Sequence, residues 1–309
     1  MRALVTGGTG LVGRSLVGRL VASGHEVVCM VRRPLTPAHA AITVIQGDLL
    51  RPETIDFAEA GAVDAVFHLG ALLPAAGVVD ASYMIANAAG TAAVVEAALK
   101  QGASRFIYLS SVSVYAGAAD EIIRDGTPPS PRLAYAVSKL SGELCLALAE
   151  HHGATATSFR VSSIYGPGMP TNSVLPRFIE AALRGEPFGW LGAGTRAQDF
   201  IHAEDVADAC IAACGAARSG VAILASGAPT SMKALAEAVA ARVPGACAIR
   251  MGDGDPGDAR VWIYDAQPAR EAFGLASTRG IGDGLDDVIA AWRSGARGPA
   301  WWQPCRPSR

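Results

Sequence analysis

The segment TGGTGLVG, residues 6–13, decides the fold class. It joins a strand-like run, ALVT at 3–6, to a helical pattern that covers 11–22. The spacing G-x-x-G-x-x-G is formed by Gly7, Gly10 and Gly13, and residues without a Cβ let a backbone approach a pyrophosphate at a helix N-terminus. The turn therefore predicts a dinucleotide site. Its predicted contacts are Gly7, Thr9, Gly10, Leu11, Val12 and Gly13.

Outward from this turn, strand-like runs alternate with alanine-rich helical patterns. Strands are predicted at 3–6, 26–31, 42–46, 62–69, 105–111 and 154–161, and helices at 11–22, 82–100 and 134–151. This alternation is typical of a parallel sheet covered by helices on both faces. Beyond residue 165 the rhythm changes to helices at 173–183 and 203–217 and to two strands, 199–202 and 221–226, that are expected to return to the sheet. The sequence predicts an α/β, doubly wound fold.

The composition excludes several classes of protein. The 309 residues carry a formal net charge of −2, from 26 basic and 28 acidic side chains, which argues against a nucleic-acid or membrane surface built on bulk charge. The apolar stretches 62–79 and 206–225 are interrupted by charged residues, and no signal-peptide pattern precedes the glycine turn. We therefore expect a cytoplasmic protein with neither a membrane nor a nucleic acid as partner.

Six cysteines are scattered along the chain, which predicts free thiols rather than a disulfide framework. Cys210 and Cys214 lie four residues apart in the predicted helix 203–217, a spacing that two ligands of one metal ion can have. No set of further cysteine and histidine ligands is apparent around them. Buried thiols are the favoured interpretation, and no metal site is predicted.

The end of the second predicted strand distinguishes between two dinucleotides. An acidic residue there accepts hydrogen bonds from the ribose of NAD, whereas a nearby arginine binds the 2′-phosphate of NADP. Here Val31 takes the acidic position and is followed by Arg32 and Arg33. The two guanidinium groups favour NADP over NAD. A solvated basic turn is the alternative interpretation.

A reactive pair is indicated by YAVSK, residues 135–139. Tyr135 and Lys139 lie one helical turn apart, so that both side chains share a helix face. A lysine ammonium near a phenol stabilises the phenolate, and the pKa of Tyr135 is therefore expected to fall toward neutral pH. The strand at 105–111 ends in Ser111, whose hydroxyl can hydrogen-bond a reacting oxygen. The three residues predict acid–base chemistry coupled to hydride transfer.

Together these motifs resemble the extended short-chain dehydrogenase/reductases, in the NAD(P)-dependent epimerase/dehydratase family. Further matching segments lie between residue 2 and about residue 293. They are GDL at 47–49, HLGA at 68–71, NAAGT at 87–91, RVSSIYGPG at 160–168 and QDFIHAEDVADA at 198–209. The resemblance therefore covers essentially the whole chain.

The resemblance implies a two-domain architecture. An N-terminal Rossmann domain would comprise 1–165 plus about 197–227, and a smaller α/β substrate-binding domain would comprise 166–196 plus 228–309. The active site would lie in the cleft between them. A homodimer through the helices near 82–100 and 134–151 is also implied.

The resemblance assigns roles to individual residues. The catalytic set is Ser111, Tyr135 and Lys139. Cofactor contacts beyond the glycine turn and the two arginines are Asp48, Leu49, Leu69, Gly70, Ala71, Asn87, Tyr135, Lys139 and Ser162. Substrate contacts are Leu73, Ser111, Ser113, Ser163, Arg196 and Gln198. A turn cap, a buried hydrogen-bonded histidine and an ordinary helix residue are the alternatives for Asp48, His68 and Asn87.

Two departures from the family pattern bear on the reaction. Sugar-nucleotide dehydratases of the family carry Asp-Glu directly after the catalytic serine or threonine, whereas Val112 and Ser113 stand here, which argues against dehydration. Ser163 and Gln198 replace the asparagine of R-x-x-N and the arginine of R-D-F that grips a diphosphate. Arg196 lies two residues earlier, where strand alternation can place it on the same face. A substrate without a nucleotide is therefore a possibility.

Three functions follow from the sequence. The favoured one is net oxidoreduction at a secondary alcohol or ketone carbon of a sugar-like or other small polar substrate, with Tyr135 as acid and base. The alternative is a nucleotide-sugar epimerase of the 4-epimerase type, which retains NAD and passes through a transient keto intermediate. A non-catalytic NADP-binding protein is the third. The segments expected to determine the substrate are 72–84, 117–131, 166–196 and 251–265.

Overall fold

Seven parallel strands form the central sheet. The computed structural model describes residues 1–75, 79–216, 218–254, 261–276 and 278–295 and the backbone of 302–303. The strands in chain order are β1 (Arg2–Thr6), β2 (Glu26–Val31), β3 (Thr36–Pro37), β4 (Ile42–Gln46), β5 (Ala65–His68), β6 (Arg105–Ser111), β7 (Ile122–Ile123), β8 (Thr155–Val161), β9 (Ser163–Tyr165), β10 (Phe188–Leu191), β11 (Ala197–Gln198), β12 (Phe200–His202), β13 (Gly220–Leu224), β14 (Thr230–Ser231), β15 (Ala248–Gly252), β16 (Ile263–Tyr264) and β17 (Trp302–Gln303). The sheet order is β13-β8-β6-β5-β1-β2-β4.

Helices cover both faces of this sheet. The α-helices of the described residues, including those that pack elsewhere, are α1 (Leu11–Ala22), α2 (Asp80–Met84), α3 (Gly90–Lys100), α4 (Ala134–His151), α5 (Val174–Arg184), α6 (Ala203–Ala216), α7 (Met232–Ala240), α8 (Gln267–Phe273) and α9 (Ile281–Ser294). A π-helical turn, Ile85–Ala89, joins α2 to α3. One face of the sheet packs against α1 and α6, and the other packs against α3 and α4. The layers are those of a doubly wound Rossmann fold.

The strand order reverses between β1 and β5, and the glycine turn follows β1 at this point. Thr6 at the end of β1 is in register with Met30 of β2 on one side and with His68 of β5 on the other. The carboxyl ends of these parallel strands therefore meet at one edge of the sheet. In open α/β sheets, ligands bind in the crevice at such a reversal.

The predicted elements agree with the structure apart from one strand. Their bounds are met within three residues, the largest difference being the start of β5. The prediction that 199–202 returns to the sheet is wrong, because β12 pairs with β9 in a separate two-stranded sheet. The reason is that β13 already occupies the edge of β8, where the N–H of Ser162 donates to the carbonyl oxygen of Leu224.

A further apolar core lies in the C-terminal half of the chain. It is formed by α5, α7 and α9 together with β10, and the buried side chains include Leu175, Ile179, Leu235, Val239 and Val288. These helices fall in the segments predicted as a substrate-binding domain. The domain bounds stay a prediction, and part of 228–309, including Cys305, lies outside the described residues.

The described ranges also bear on the membrane and cysteine predictions. No helix within them combines the length and the apolarity that crossing a bilayer requires. The five cysteines within them are free. Cys210 and Cys214 are buried in the α1–α6 core, and this burial raises the pKa of both thiols. The same ranges hold no group of three or more histidine, cysteine, aspartate or glutamate side chains placed to hold a metal ion.

Candidate active site

A cleft of about 490 Å³, here called the main cleft, opens at the carboxyl ends of β1, β2, β5, β6 and β8. It brings together most of the predicted cofactor and catalytic residues and the predicted substrate contact Leu73. Those that line it are Gly7, Thr9, Gly10, Leu11, Val12, Gly13, Arg32, Asp48, Leu49, Leu69, Gly70, Ala71, Leu73, Ser111, Tyr135, Lys139 and Ser162. Thr6, Met30 and Pro170 also line it, although none of them was predicted individually as a site residue.

The glycine turn forms a cradle that side chains would fill. Gly7 has a φ of +70°, and a Cβ there would lie 2.7 Å from the backbone nitrogen of Gly70. A Cβ on Gly13 would lie 2.1 Å from the carbonyl oxygen of Gly7. Gly10 caps α1 without a side-chain hydrogen bond, so the first-turn N–H groups face the cleft unshielded. This cradle fits the pyrophosphate of a dinucleotide.

The two adjacent arginines, Arg32 and Arg33, differ in their position relative to the main cleft. Arg32 lines the cleft, whereas Arg33 does not, and both side chains are exposed. Asp48 lines the cleft while also capping its own turn, because its Oδ1 accepts a hydrogen bond of 3.0 Å from the backbone nitrogen of Leu50. The turn-cap alternative and a cofactor contact are thus compatible for Asp48.

Ser111, Tyr135 and Lys139 converge on the main cleft from two elements. Ser111 ends β6, and Tyr135 lies in the first turn of α4 with Lys139 one turn later. The side chains of Ser111 and Tyr135 are hydrogen-bonded. The backbone nitrogen of Ser113 donates to Ser111 Oγ over 3.2 Å and fixes its position. The arrangement can present two hydroxyl groups to one substrate oxygen.

The protonation of the pair differs from the sequence expectation. Burial raises the pKa of Tyr135 to about 12, and its hydrogen bond with Ser111 offsets this only in part. Burial lowers the pKa of Lys139 to about 7, against the opposing charge of Glu143. The Nζ atom of Lys139 lies over the ring of Tyr108, 4.1 Å from its centroid. Burial thus keeps Tyr135 a neutral phenol at neutral pH, and the predicted effect of Lys139 is not among the causes of this pKa shift.

His68 is held neutral beneath the cleft. Its Nδ1 lies 2.5 Å from Thr6 Oγ1 and its Nε2 lies 2.9 Å from Thr91 Oγ1. Thr91 donates its own proton to a backbone carbonyl, so it accepts from Nε2–H, and Thr6 donates to Nδ1. Burial, with the charge of Lys139 as the second cause, lowers the pKa of His68 to about 3. His68 is therefore a buried, hydrogen-bonded histidine, which is the alternative that the sequence left open for it.

A buried ion pair connects the catalytic elements. Glu143, one turn beyond Lys139, accepts two hydrogen bonds from Arg160 of β8, of 3.0 and 2.7 Å. Ser110 also donates to Glu143, and Arg160 donates to the Tyr115 hydroxyl over 2.6 Å. The side chains of the pair are 6% and 4% exposed. The network fixes α4 against β6 and β8. The sequence feature that could have indicated Glu143 is its position four residues after Lys139, on the same face of the helix.

Asn87 is not brought into the wall of the main cleft. Its Oδ1 accepts from the backbone nitrogen of Leu72 over 2.7 Å, and its Nδ2 donates to the carbonyl of Leu72 and to Ser138 Oγ. Its amide is therefore occupied by the protein itself. Asn87 shapes the cleft through Leu72, which does line it.

A second cavity of about 300 Å³, here called the side cavity, adjoins the main cleft. The two share Ser111, Val161 and Ser162. The side cavity is lined by Ser111, Val112, Ser113, Ala116, Val161, Ser162, Ser163, Ala197, Gln198, Asp199, Trp262 and Tyr264. Four predicted substrate residues, Ser111, Ser113, Ser163 and Gln198, thus line the side cavity. Arg196 lines neither space.

Comparison with known proteins assigns the family. A sequence profile described as the NAD dependent epimerase/dehydratase family matches residues 3–224. The chain belongs to this family. The match confirms the resemblance found in the sequence and establishes an enzyme of the NAD dependent epimerase/dehydratase type. It spans the strands and helices that build the main cleft.

Several members of the family are similar over long stretches. The UDP-glucose 4-epimerase of Mycolicibacterium smegmatis is 28% identical over 310 residues, which is 95% of this chain and 99% of that protein. The 2-alkyl-3-oxoalkanoate reductase of Stenotrophomonas maltophilia is 32% identical over 255 residues, 79% of this chain and 76% of that protein. The structure of MoeE5 in complex with UDP-glucose and NAD is 30% identical, with a TM-score of 0.83, and covers 96% of this chain and 99% of its own.

Proposed function

We propose that this enzyme catalyses NADP-dependent hydride transfer at a secondary alcohol or ketone carbon, with Tyr135 as the acid and base. The observation that carries the proposal is the convergence of Ser111, Tyr135 and Lys139 on the main cleft, with Ser111 also lining the side cavity. The cofactor's nicotinamide supplies or accepts the hydride. The fit of the glycine cradle to a pyrophosphate supports a dinucleotide in the main cleft.

The protonation states support reduction of a carbonyl. A phenol whose pKa is about 12 carries its proton at neutral pH, so Tyr135 can give that proton to the carbonyl oxygen as the hydride reaches the carbon. Ser111 holds the same oxygen by a hydrogen bond. The phenolate left on Tyr135 is stabilised by the nearby Lys139 and is then reprotonated from solvent.

The preference for NADP is supported by Arg32, which lines the main cleft with no acidic residue at the neighbouring Val31 position. Arg33 is a weaker candidate because it lies outside the cleft wall. The predicted roles of the remaining lining residues, and of Ser113, Ser163 and Gln198 toward the substrate, stay part of the proposal.

A homodimer and a cytoplasmic location complete the proposal. Apolar side chains on the outer face of α4 support dimer formation, since Leu144 is 70% exposed and Val137 and Leu148 are also exposed. Light scattering in solution tests this. The free cysteines support a reducing compartment such as the cytoplasm.

Epimerisation is the second candidate. It is favoured by the similarity, over nearly the whole chain, to a UDP-glucose 4-epimerase and to MoeE5 bound to UDP-glucose and NAD. Such an enzyme returns the hydride to the opposite face of the keto intermediate and keeps its cofactor. Mass spectrometry of cofactor released from the purified protein distinguishes the two, because retained NAD indicates epimerisation and exchangeable NADP indicates net reduction.

Tyr135→Phe tests the chemistry. NADPH oxidation with a panel of ketones and interconversion of UDP-glucose with UDP-galactose are both measured. Loss of the acid is expected to slow turnover by about 10²–10⁴-fold while the Kd for NADPH stays near that of the wild type. Tyr83→Phe is the matched control, because its ring packs edge-on against Tyr135 with centroids 6.0 Å apart. A fully active Tyr135→Phe variant contradicts the assignment.

A further inference from the structure

The side cavity has mainly apolar walls next to the catalytic serine. Val112, Ala116, Val161 and Ala197 contribute aliphatic surface, and Trp262 contributes an aromatic ring. Among the described residues that line it, none carries a positive charge. Since the cavity shares Ser111 with the main cleft, a group attached to the reacting carbon can extend into it.

The polar groups of the side cavity are largely bonded to one another. Gln198 Nε2 donates to Ser163 Oγ, so the two residues that depart from the family pattern are partners. Ser162 Oγ donates to Asp199 Oδ1 over 2.5 Å. The amide nitrogen of Gln198 and the hydroxyl group of Ser162 therefore already donate to acceptors within the protein.

The carboxylate of Asp199 is already hydrogen-bonded to the protein on both oxygens. The residue is 2% exposed. Besides the bond from Ser162, its carboxylate accepts 2.9 and 2.8 Å hydrogen bonds from the backbone nitrogen and hydroxyl of Ser226, and a 2.8 Å bond from the backbone nitrogen of Gly227. Four donors thus occupy its two oxygens, and the carboxylate serves the packing of the cavity wall.

The wall of the side cavity contains one fully buried hydroxyl group that has no hydrogen-bond partner among the described residues. Ser113 Oγ is buried and makes no hydrogen bond to the rest of the described structure. It lines the side cavity two residues beyond Ser111. Ser113 thus offers a buried hydrogen-bonding position to a bound group.

We propose that the side cavity receives an uncharged, mainly apolar part of a ketone or secondary alcohol substrate, with one hydrogen bond to Ser113, rather than a polyhydroxylated sugar ring. The inference rests on the proposed hydride transfer and names its substrate class. A sugar ring would bring several hydroxyl groups into a space with mainly apolar walls, where much of the polar surface is already bonded to the protein. Each hydroxyl that loses water without gaining a partner weakens binding.

The test compares two six-membered cyclic ketones, cyclohexanone and its pentahydroxy counterpart myo-inosose. Binding is measured by ligand-observed NMR in the presence of saturating NADP⁺, because oxidised cofactor cannot reduce a ketone and leaves the side cavity to the probe. Cyclohexanone is expected to bind at least about tenfold more tightly, the order of discrimination that unpaired hydroxyl groups produce.

Val112→Thr localises the effect. The substitution adds a hydroxyl group to the cavity wall at nearly constant volume, so it is expected to reduce the preference for cyclohexanone. Val221→Thr, at an exposed position on β13 that lines neither cavity, is the matched control and is expected to leave the preference unchanged.

Tighter or equal binding of myo-inosose overturns the proposal, and so does the lack of saturable binding by either ketone. An equal response to both variants also overturns it. Turnover is measured separately with NADPH. Binding of cyclohexanone without any hydride transfer to the ketone panel refutes the proposed function instead and leaves the assignment of the side cavity standing.

Discussion

Arg32 and Arg33 provide a matched pair of substitutions, because each change to alanine removes one positive charge from neighbouring positions. Arg32 lines the main cleft and Arg33 does not, although both are exposed. If Arg32 binds the 2′-phosphate of NADP, Arg32→Ala weakens NADP binding and Arg33→Ala leaves it nearly unchanged. Neither change affects NAD, which lacks this phosphate.

The size of the effect follows from the exposure of Arg32. A hydrogen bond to a charged group contributes about 1.5–3 kcal/mol. Solvent screening at an exposed side chain places Arg32 at the lower end, about 1.5 kcal/mol, or roughly tenfold in Kd. Arg33 acts through solvent, where the Debye length is about 8 Å at physiological salt, so its removal is expected to change Kd by less than about twofold.

Isothermal titration of NADP⁺ and NAD⁺ into the wild type, both single variants and the double variant measures this difference. Repeating the titrations at higher salt is expected to reduce the effect of Arg32→Ala. Equal losses in the two single variants, or an equal loss for NAD⁺, would refute the reasoning. The two arginines would then form a solvated basic turn without a role in selecting the cofactor.

Two further predictions concern buried charges. The pKa of Lys139 is about 7 in the folded protein and about 10.4 when unfolded, so the unfolded state binds more protons between these values and the free energy of unfolding rises with pH across that window. Urea denaturation of the cofactor-free protein is expected to show this rise, and Lys139→Met is expected to remove it; an unchanged profile contradicts the assignment. Arg160→Met leaves Glu143 buried without its partner and is expected to cost about 3–5 kcal/mol, whereas adding Glu143→Leu recovers most of this loss. Additive losses in the double variant would show that the two side chains act independently.

The central fold was predictable because its causes are local. The glycine spacing at 7, 10 and 13 and the alternation of apolar runs with helical patterns each depend on neighbouring residues. The partner of β12 was not predictable in this way. The three residues of β12 could pair with either sheet. The free edge of β8 is occupied by β13, which follows β12 in the chain, so β12 pairs with β9 instead.

The site was predictable to a similar degree. Motifs placed Ser111, Tyr135 and Lys139 together, since a strand end and a helix face are read directly from spacing. The direction of the pKa shift of Tyr135 was not, because it depends on burial by residues distant in sequence. The same limit applies to Asn87, whose amide is used by the backbone of Leu72.

The late position of β13 has a consequence for synthesis of the chain on the ribosome. Until residues 220–224 emerge, β8 is an open edge of a largely apolar parallel sheet, and such edges are prone to pair with other chains. Ser162 of the main cleft also lacks its acceptor at Leu224 until then. A nascent chain that stops before β13 therefore holds the whole glycine turn and the catalytic trio but an unsupported cleft wall, and we expect it to depend on chaperones.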